Sequence, residues 1–356
     1  MSRTQTELTI LPAYNGDSIL IKTFDKNKQE FIILIDGGTP STFDYSLKKN
    51  LNEISKINLL VLTHIDSDHI GGLIKFFKNS LIDEIEIDEV WINQPETEFN
   101  QTSNIEAQIS VRQAENFKVL IKKKKPHSNI REITIADNVI NIKGLEFTIL
   151  SPTVEIKDKF YKVWKKEKSL LKEENLKTNI SSSTANYSQS LKELSKIDFK
   201  PHSSIDSDIY NSSSIAFVLK CPDVKFLLLA DTRAEIITQR LKELGYDIEN
   251  LLEVDFVKIS HHGSLNNTSQ ELLSLIKSSN YLISTNGGTS KHKHPSRETI
   301  ARIVYKANRD DELLNVYTNY KITDIKNRIG EFVNETDLEE GNWNIEYKNT
   351  FTKNDK

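Results

Sequence analysis

Four side chains of the types that bind divalent cations fall within six positions, in Leu60-Val61-Leu62-Thr63-His64-Ile65-Asp66-Ser67-Asp68-His69-Ile70-Gly71-Gly72. Imidazole nitrogen and carboxylate oxygen both coordinate such ions at about 2.0–2.2 Å, so a tight turn carrying His and Asp can converge on metal. Alternate positions point to opposite sides, so one short loop can serve two adjacent ions. Helix capping or solvent exposure accounts for Asp68 or His69 singly, but not for His64, Asp66, Asp68 and His69 together. Six of the eight histidines (His64, His69, His261, His262, His292 and His294) lie in three short polar clusters, each after an apolar run. Asp231 ends another such run, Phe226–Ala230, a place that suits both a ligand and the N-cap of a helix over Thr232–Leu244. The one cysteine, Cys221, leaves no intramolecular disulfide and no cysteine-rich zinc module.

Strands must deliver these side chains and turns must bring them together. Short runs rich in Ile, Val, Leu and Phe read as strands at Glu7–Ile10, Ser18–Thr23, Phe31–Ile35, Asn58–Thr63, Glu89–Ile92, Val139–Lys143, Glu146–Leu150, Ile215–Lys220, Lys225–Ala230, Asp255–Ser260, Tyr281–Thr285 and Leu314–Tyr317. Helical patterns fall between some of them, at Phe43–Ile54, Gly72–Lys78, Ala234–Leu244, Ser269–Ser278 and Ser296–Ala307. A meander followed by strand–helix alternation predicts a layered α/β protein. Residues 93–125, ending in Lys122–Lys125, and residues 156–208, Lys/Glu-rich and then Ser/Asn-rich, read as insertions, the second part helical and part mobile. Within 314–353, Val316–Asn319 and Asn342–Tyr347 suggest a terminal hairpin that completes a sheet.

The chain has 356 residues, and 47 Lys+Arg against 51 Asp+Glu give a net charge of −4. That balance argues against an overall basic nucleic-acid coat but leaves a local basic groove open. The N-terminus has no apolar signal region, and no apolar run approaches the roughly 20 residues a membrane helix needs. The expectation is a soluble, cytoplasmic protein with no membrane contact.

Taken in order, these motifs resemble the metallo-β-lactamase superfamily, whose mark is a His-x-His-x-Asp-His loop after a strand. The similarity is greatest to the C-terminal domain of ComEC-type DNA-uptake proteins, where the second His is commonly Asp. It also rests on Gly16-Asp17-Ser18-Ile19-Leu20-Ile21, Leu34-Ile35-Asp36-Gly37-Gly38, Asn211-Ser212-Ser213-Ser214, Leu228-Leu229-Ala230-Asp231, Val257-Lys258-Ile259-Ser260-His261-His262-Gly263-Ser264 and His292-Lys293-His294-Pro295-Ser296. The resemblance implies one αββα four-layer domain over residues 1–356 with the metal loops at one edge. It implies that His64 and Asp66 serve a first metal, Asp68 and His69 a second, and that Asp231 bridges them. His261 completes the second site, while His262 and Asp36 hold ligands from outside. Two departures matter. Asp66 in place of a nitrogen ligand moves the preference toward harder ions, so one or two zinc or manganese ions are expected. The third-motif histidine is replaced by Asn211, an alternative ligand; His202, a few residues upstream, reads as a surface residue.

Such a site predicts metal-assisted hydrolysis, and the pocket decides the substrate. The resemblance favours a phosphodiester, with DNA, RNA or a nucleotide as substrate. Asp68 then orients or deprotonates the attacking water, His294 binds a phosphoryl oxygen or protonates the leaving group, and Asn286 and Lys291 contact substrate. A hydrolase of a non-nucleic thioester, lactam or small phosphoester, and a regulatory protein with a vestigial site, are the alternatives. The residues specify no protein partner.

Overall fold

Alternation of apolar residues builds two sheets that face one another. The computed structural model describes residues 5–95, 109–170, 188–288 and 293–355. The first sheet opens as an antiparallel meander of β1 (Glu7–Ile10), β2 (Ile19–Phe24) and β3 (Glu30–Ile35). It turns parallel through β4 (Lys56–Leu62), β5 (Glu86–Ile92) and β6 (Asn129–Arg131). The second sheet repeats the plan, antiparallel through β7 (Val139–Ile142), β8 (Leu145–Ser151), β9 (Ala216–Lys220) and β10 (Lys225–Leu228). Next, β11 (Leu252–Glu253) leaves to pair with β13 (Ile276–Lys277). From β10 the sheet continues in parallel through β12 (Phe256–Lys258), β14 (Asn280–Ile283), β15 (Leu314–Thr318) and β16 (Trp343–Tyr347). Finally β17 (Thr350–Thr352) returns to the first sheet beside β1.

Strand periodicity of two then decides what each sheet buries. On β3 and β4, Ile33, Ile35, Leu59 and Val61 point between the sheets, where they meet Phe147, Phe217, Phe226 and Phe256 of the second sheet. Their neighbours Ile32, Leu34, Leu60 and Leu62 point outward, under helices that contribute Phe43, Leu73, Phe76 and Phe77. Likewise Leu227, Val257 and Val316 face helices carrying Ile237, Ile300 and Ile325. The result is a four-layer αββα sandwich. Each fully buried Leu, Ile or Phe contributes about 1.5–3 kcal/mol.

The segments read as insertions contribute to this packing. The helix Ile109–Lys124 lays Phe117 edge-on against Phe77 at 4.9 Å. The helix Val154–Leu170 buries Phe160 and Trp164 in the same layer, while Leu171 and the Ser/Asn-rich run to Tyr187 lie outside the described residues. The expected C-terminal hairpin is corrected. Strands β15 and β16 pair in parallel, which requires a crossover, and the helices Ile322–Ile329 and Glu335–Glu339 supply it. The buried Arg297 fastens this crossover, donating to Asp337 Oδ2 at 2.8 Å and to Phe332 O at 3.0 Å.

The parallel strands β3, β4, β10, β12 and β14 deliver Asp36, His64, Asp231, His261–His262 and Ser284 from their C-terminal ends to one edge of the sandwich. In open α/β sheets the crevice outside those ends is where ligands bind.

Candidate metal centre

Backbone approach at this edge is unusually close. A Cβ on Gly16 would lie 1.8 Å from Asp68 O, and one on Gly72 would lie 1.9 Å from Gly37 O. Four non-glycine residues here, Asp36, Ala230, His261 and His262, hold positive φ of 46–55° or 56°. Left-handed backbone at such residues costs about 1–3 kcal/mol each, a concentration of strain typical of functional edges. The helix expected from Gly72 begins earlier, at Ser67, so Asp68 and His69 occupy its first turn.

Asp231 stands at the centre, 2% exposed. Four imidazole Nε2 atoms surround its Oδ2: His69 at 3.3 Å, His262 at 3.4 Å, and His64 and His261 at 3.9 Å. Asp66 Oδ2 lies 3.7 Å from His64 Nε2. Each inner ring is aimed by its other nitrogen. His69 Nδ1 donates to Asp36 Oδ2 at 2.8 Å, and Asp36 in turn accepts from Thr63 N at 2.8 Å and Thr63 Oγ1 at 2.6 Å. His262 Nδ1 donates to Ser284 O at 2.9 Å. Such outer partners fix the tautomer that presents a bare Nε2. Asn15 Nδ2 donates to Asp68 Oδ2 at 2.8 Å.

The donor atoms left over identify what the cluster is built to hold. The Nε2 atoms of His64, His69 and His262 and Oδ1 of Asp231 are buried without a hydrogen-bond partner. Ligand atoms of His64, His69 and Asp231 lie within 4.8 Å of one another, as do those of Asp68, His69 and His262 and those of Asp17, Asp231 and His262. Orphaned buried nitrogen and carboxylate oxygen converging in this way fit a divalent cation.

Protonation supplies the positive charge that the carboxylates demand. Burial favours the neutral imidazole, but Asp231 and then Asp36 outweigh it and hold His69 well above its ordinary range. Burial is likewise overcome at His262, which Asp231 and Asp17 raise to about 9. His64 is pushed well below by burial and by His69. Asp66 is raised to about 7 by burial and by Asp68. Burial alone would raise Asp231, yet His262 and His69 hold it well below the carboxylate range. Cation binding at such ligands displaces protons of this kind.

The structure therefore brings together His64, Asp66, Asp68, His69, Asp231, His261 and His262, with Asp36 behind His69. The two members of the histidine doublet sit differently. His262, 3% exposed and pinned by Ser284, joins Asp68 and His69, whereas the His261 side chain is 27% exposed and turns toward the cavity. That cavity, about 340 Å³, also receives His202, Asn211, Lys293 and His294. The His294 ring lies 5.5 Å from that of His261. Asn211 donates from Nδ2 to Asp208 at 2.8 Å and keeps Oδ1 without a partner. Asn286 is not among the residues lining the cavity; its Oδ1 accepts from Gly288 N at 3.0 Å and closes a turn. Lys291 and His292 lie outside the described residues. Sequence reasoning missed Asp17 and Lys258 as site residues. The signal was a lysine inside the apolar strand Val257–Ile259, which demands a buried partner.

Residues 11–150 match the family model described as Metallo-beta-lactamase superfamily. That stretch of the chain is similar to this superfamily. Members of this superfamily are typically metal-dependent hydrolases. A curated relative, ComE operon protein 3 of Bacillus subtilis (strain 168), is 21% identical over 285 residues, covering 78% of this chain and 26% of that protein. The chain thus spans about a quarter of that relative's length. Similar solved structures include a diphosphatase from the PhnP family, at TM-score 0.41 and 11% identity with 98% of each chain covered. Another is the metallo-beta-lactamase fold protein YhfI from Bacillus subtilis, at TM-score 0.39 and 12% identity with 98% of each chain covered. A long form RNase Z from yeast gives TM-score 0.40 at 11% identity, covering 99% of this chain and 42% of that one. Among the described residues no helix is long and apolar enough to cross a membrane.

Proposed function

We propose that this protein is a divalent-metal-dependent phosphodiesterase that acts on DNA, RNA or a nucleotide. The observation that carries the reading is Asp231, ringed by four imidazoles whose inner members keep unpartnered nitrogens, beside a cavity that His261 and His262 share with Asp68, Lys293 and His294. His64, Asp66 and Asp231 would hold one ion, and Asp68, His69, His262 and Asp231 a second, with manganese or zinc favoured by the mixed oxygen and nitrogen donors. Bound there, such ions supply Lewis acidity and lower the pKa of water toward 7.

The chain's own residues do the rest. Asp36 and the Ser284 carbonyl hold the rings of His69 and His262 in one tautomer and orientation. Asn15 occupies Asp68 Oδ2, which leaves Oδ1 to take the proton of the attacking water. The water oxygen bonds to phosphorus, the ester P–O bond breaks, and His294 gives a proton to the departing oxygen. Lys293 offers its ammonium to a non-bridging oxygen. The phosphodiester preference is also supported by the resemblance to the domain of ComEC-type DNA-uptake proteins.

The test is a panel of single-stranded DNA, RNA, bis(p-nitrophenyl) phosphate, a lactam and a thioester, with the purified chain in manganese or zinc. Phosphodiesters should be cleaved, and Asp68→Asn should lower kcat by roughly 10²–10⁴. Turnover confined to the lactam or thioester, or an Asp68→Asn variant as fast as wild type, would sink the reading.

A further inference from the structure

The residues that precede β9 form one wall of the cavity, and the structure shows how they are fastened. Arg233, two residues beyond Asp231, has a fully buried side chain. Its Nη1 donates to Ser203 Oγ at 2.7 Å and to Asp208 Oδ2 at 3.3 Å, and its Nη2 to Ser203 O at 2.8 Å. Glu235 balances the charge, its Oε1 2.9 Å from Nη2. A second tie comes from His202 N, which donates to Asn266 Oδ1 at 2.9 Å. Ser204 and Ser207 close the intervening turn on each other, and Ile205 packs on the helical layer. A buried guanidinium committed to five acceptor atoms on Ser203, Asp208 and Glu235 is a fixed fork. The tripeptide Asp231–Arg233 therefore sets the central carboxylate with one end and the cavity wall with the other.

This wall brings His202, Ser203 and Asp208 to the cavity, whose lining they share with Asp68, His261, Lys293 and His294. We propose that His202 is a substrate-binding residue that donates a ring N–H to a non-bridging oxygen of a phosphodiester, and that the clamped segment Lys200–Asp208 selects for that group. The proposal rests on the phosphodiesterase reading and adds a residue that is exposed, as the sequence reading expected, where it borders the cavity. The same residue type a few positions from Asn211 could instead replace the missing third-motif ligand, so the experiment separates binding from coordination.

The full chain and its H202A and H202Q variants are compared by metal content, by steady-state cleavage of hexathymidylate in manganese, and by anisotropy of fluorescein-labelled hexathymidylate in calcium. H202A should weaken binding and raise KM about tenfold or more, the size of one hydrogen bond to a charged oxygen, with the loss on KM rather than kcat. H202Q, which keeps an N–H donor, should recover most of that loss, and both variants should retain the wild-type metal content. Binding by H202A within twofold of wild type, equal losses in H202A and H202Q, or loss of a metal equivalent in H202A would each overturn the proposal. If wild type neither binds nor cleaves any phosphodiester, the phosphodiesterase reading falls as well. If wild type cleaves and H202A matches it, only this inference falls.

Discussion

Lys258→Met is expected to destabilise the fold by about 3–5 kcal/mol, the cost of removing one partner of a buried ion pair. Lys258 ends β12 in the second sheet and Asp17 precedes β2 in the first, so the pair ties the two sheets together at the edge where the metal loops gather. Both residues are 1% exposed, and Lys258 Nζ donates to Asp17 Oδ2. Burial alone would raise the Asp17 carboxyl, but Lys258 and then His262 hold it well below the usual carboxylate range. Without the ammonium, a carboxylate remains in the dry interior with its main counter-charge gone. Unfolding entropy of about 2.1 cal/mol/K per residue converts the loss to a fall in Tm of roughly 4–7 °C for a chain of 356 residues. The double variant Asp17→Leu with Lys258→Met buries no charge and should lie closer to wild type than either single variant, because apolar replacements of buried pairs often break even. Calorimetry and urea unfolding of the metal-free proteins complete the double-mutant cycle. A Lys258→Met variant within 1 kcal/mol of wild type, or a double variant that loses the sum of the singles, would refute the reasoning.

Gly16→Ala should abolish stoichiometric metal binding, because its Cβ collides with Asp68 O and must displace the helix start that carries Asp68 and His69; wild-type metal content in a folded variant would contradict this. Asp36→Ala should weaken metal affinity about 10–100-fold by releasing the His69 ring, measured by competition with a chelating dye, and an unchanged affinity would remove Asp36 from the centre. Manganese at 100 times its Kd should add about 2.7 kcal/mol to stability, read as a rise of roughly 3–4 °C in Tm, whereas no rise would show that the folded cluster does not bind it. Arg297→Ala, which strands Asp337 in the crossover between β15 and β16, should cost about 3–5 kcal/mol in urea unfolding; a loss below 1 kcal/mol would mean that the crossover holds without it.

The central strands were legible because each is an apolar run with polar or glycine punctuation, and β1 coincides with its expected span Glu7–Ile10. Shorter edge strands such as β6 and β17 carry no run of their own and exist through their neighbours' open hydrogen-bonding groups. The C-terminal error had a readable signal. Ile322, Ile325 and Ile329 mark a helical face, which between two strands implies a parallel crossover rather than a hairpin. Within the site, the clustering of His64, Asp66, Asp68 and His69 was readable from type and spacing, whereas Asp231 as their common neighbour came from the family resemblance. The setting of the doublet was not, since His261 and His262 both adopt positive φ and the Ser284 carbonyl that accepts from His262 Nδ1 lies 22 residues away. Asn286 shows the reverse limit, a polar side chain near the site whose oxygen is committed to its own turn. His202 is exposed as expected, but the ties from Arg233 and Asn266 that set its serine-rich stretch against the cavity join residues too far apart in the chain to be read locally.

The central claim is that the buried His–Asp cluster around Asp231 is a divalent-metal centre. Elemental analysis of the purified full chain and of its Asp231→Ala and His69→Ala variants, after dialysis against trace metal, tests it most directly. The account predicts one to two equivalents of a divalent transition metal in wild type and a loss of at least one equivalent in each variant. A wild-type protein that emerges metal-free, or variants that keep its full complement, would contradict it.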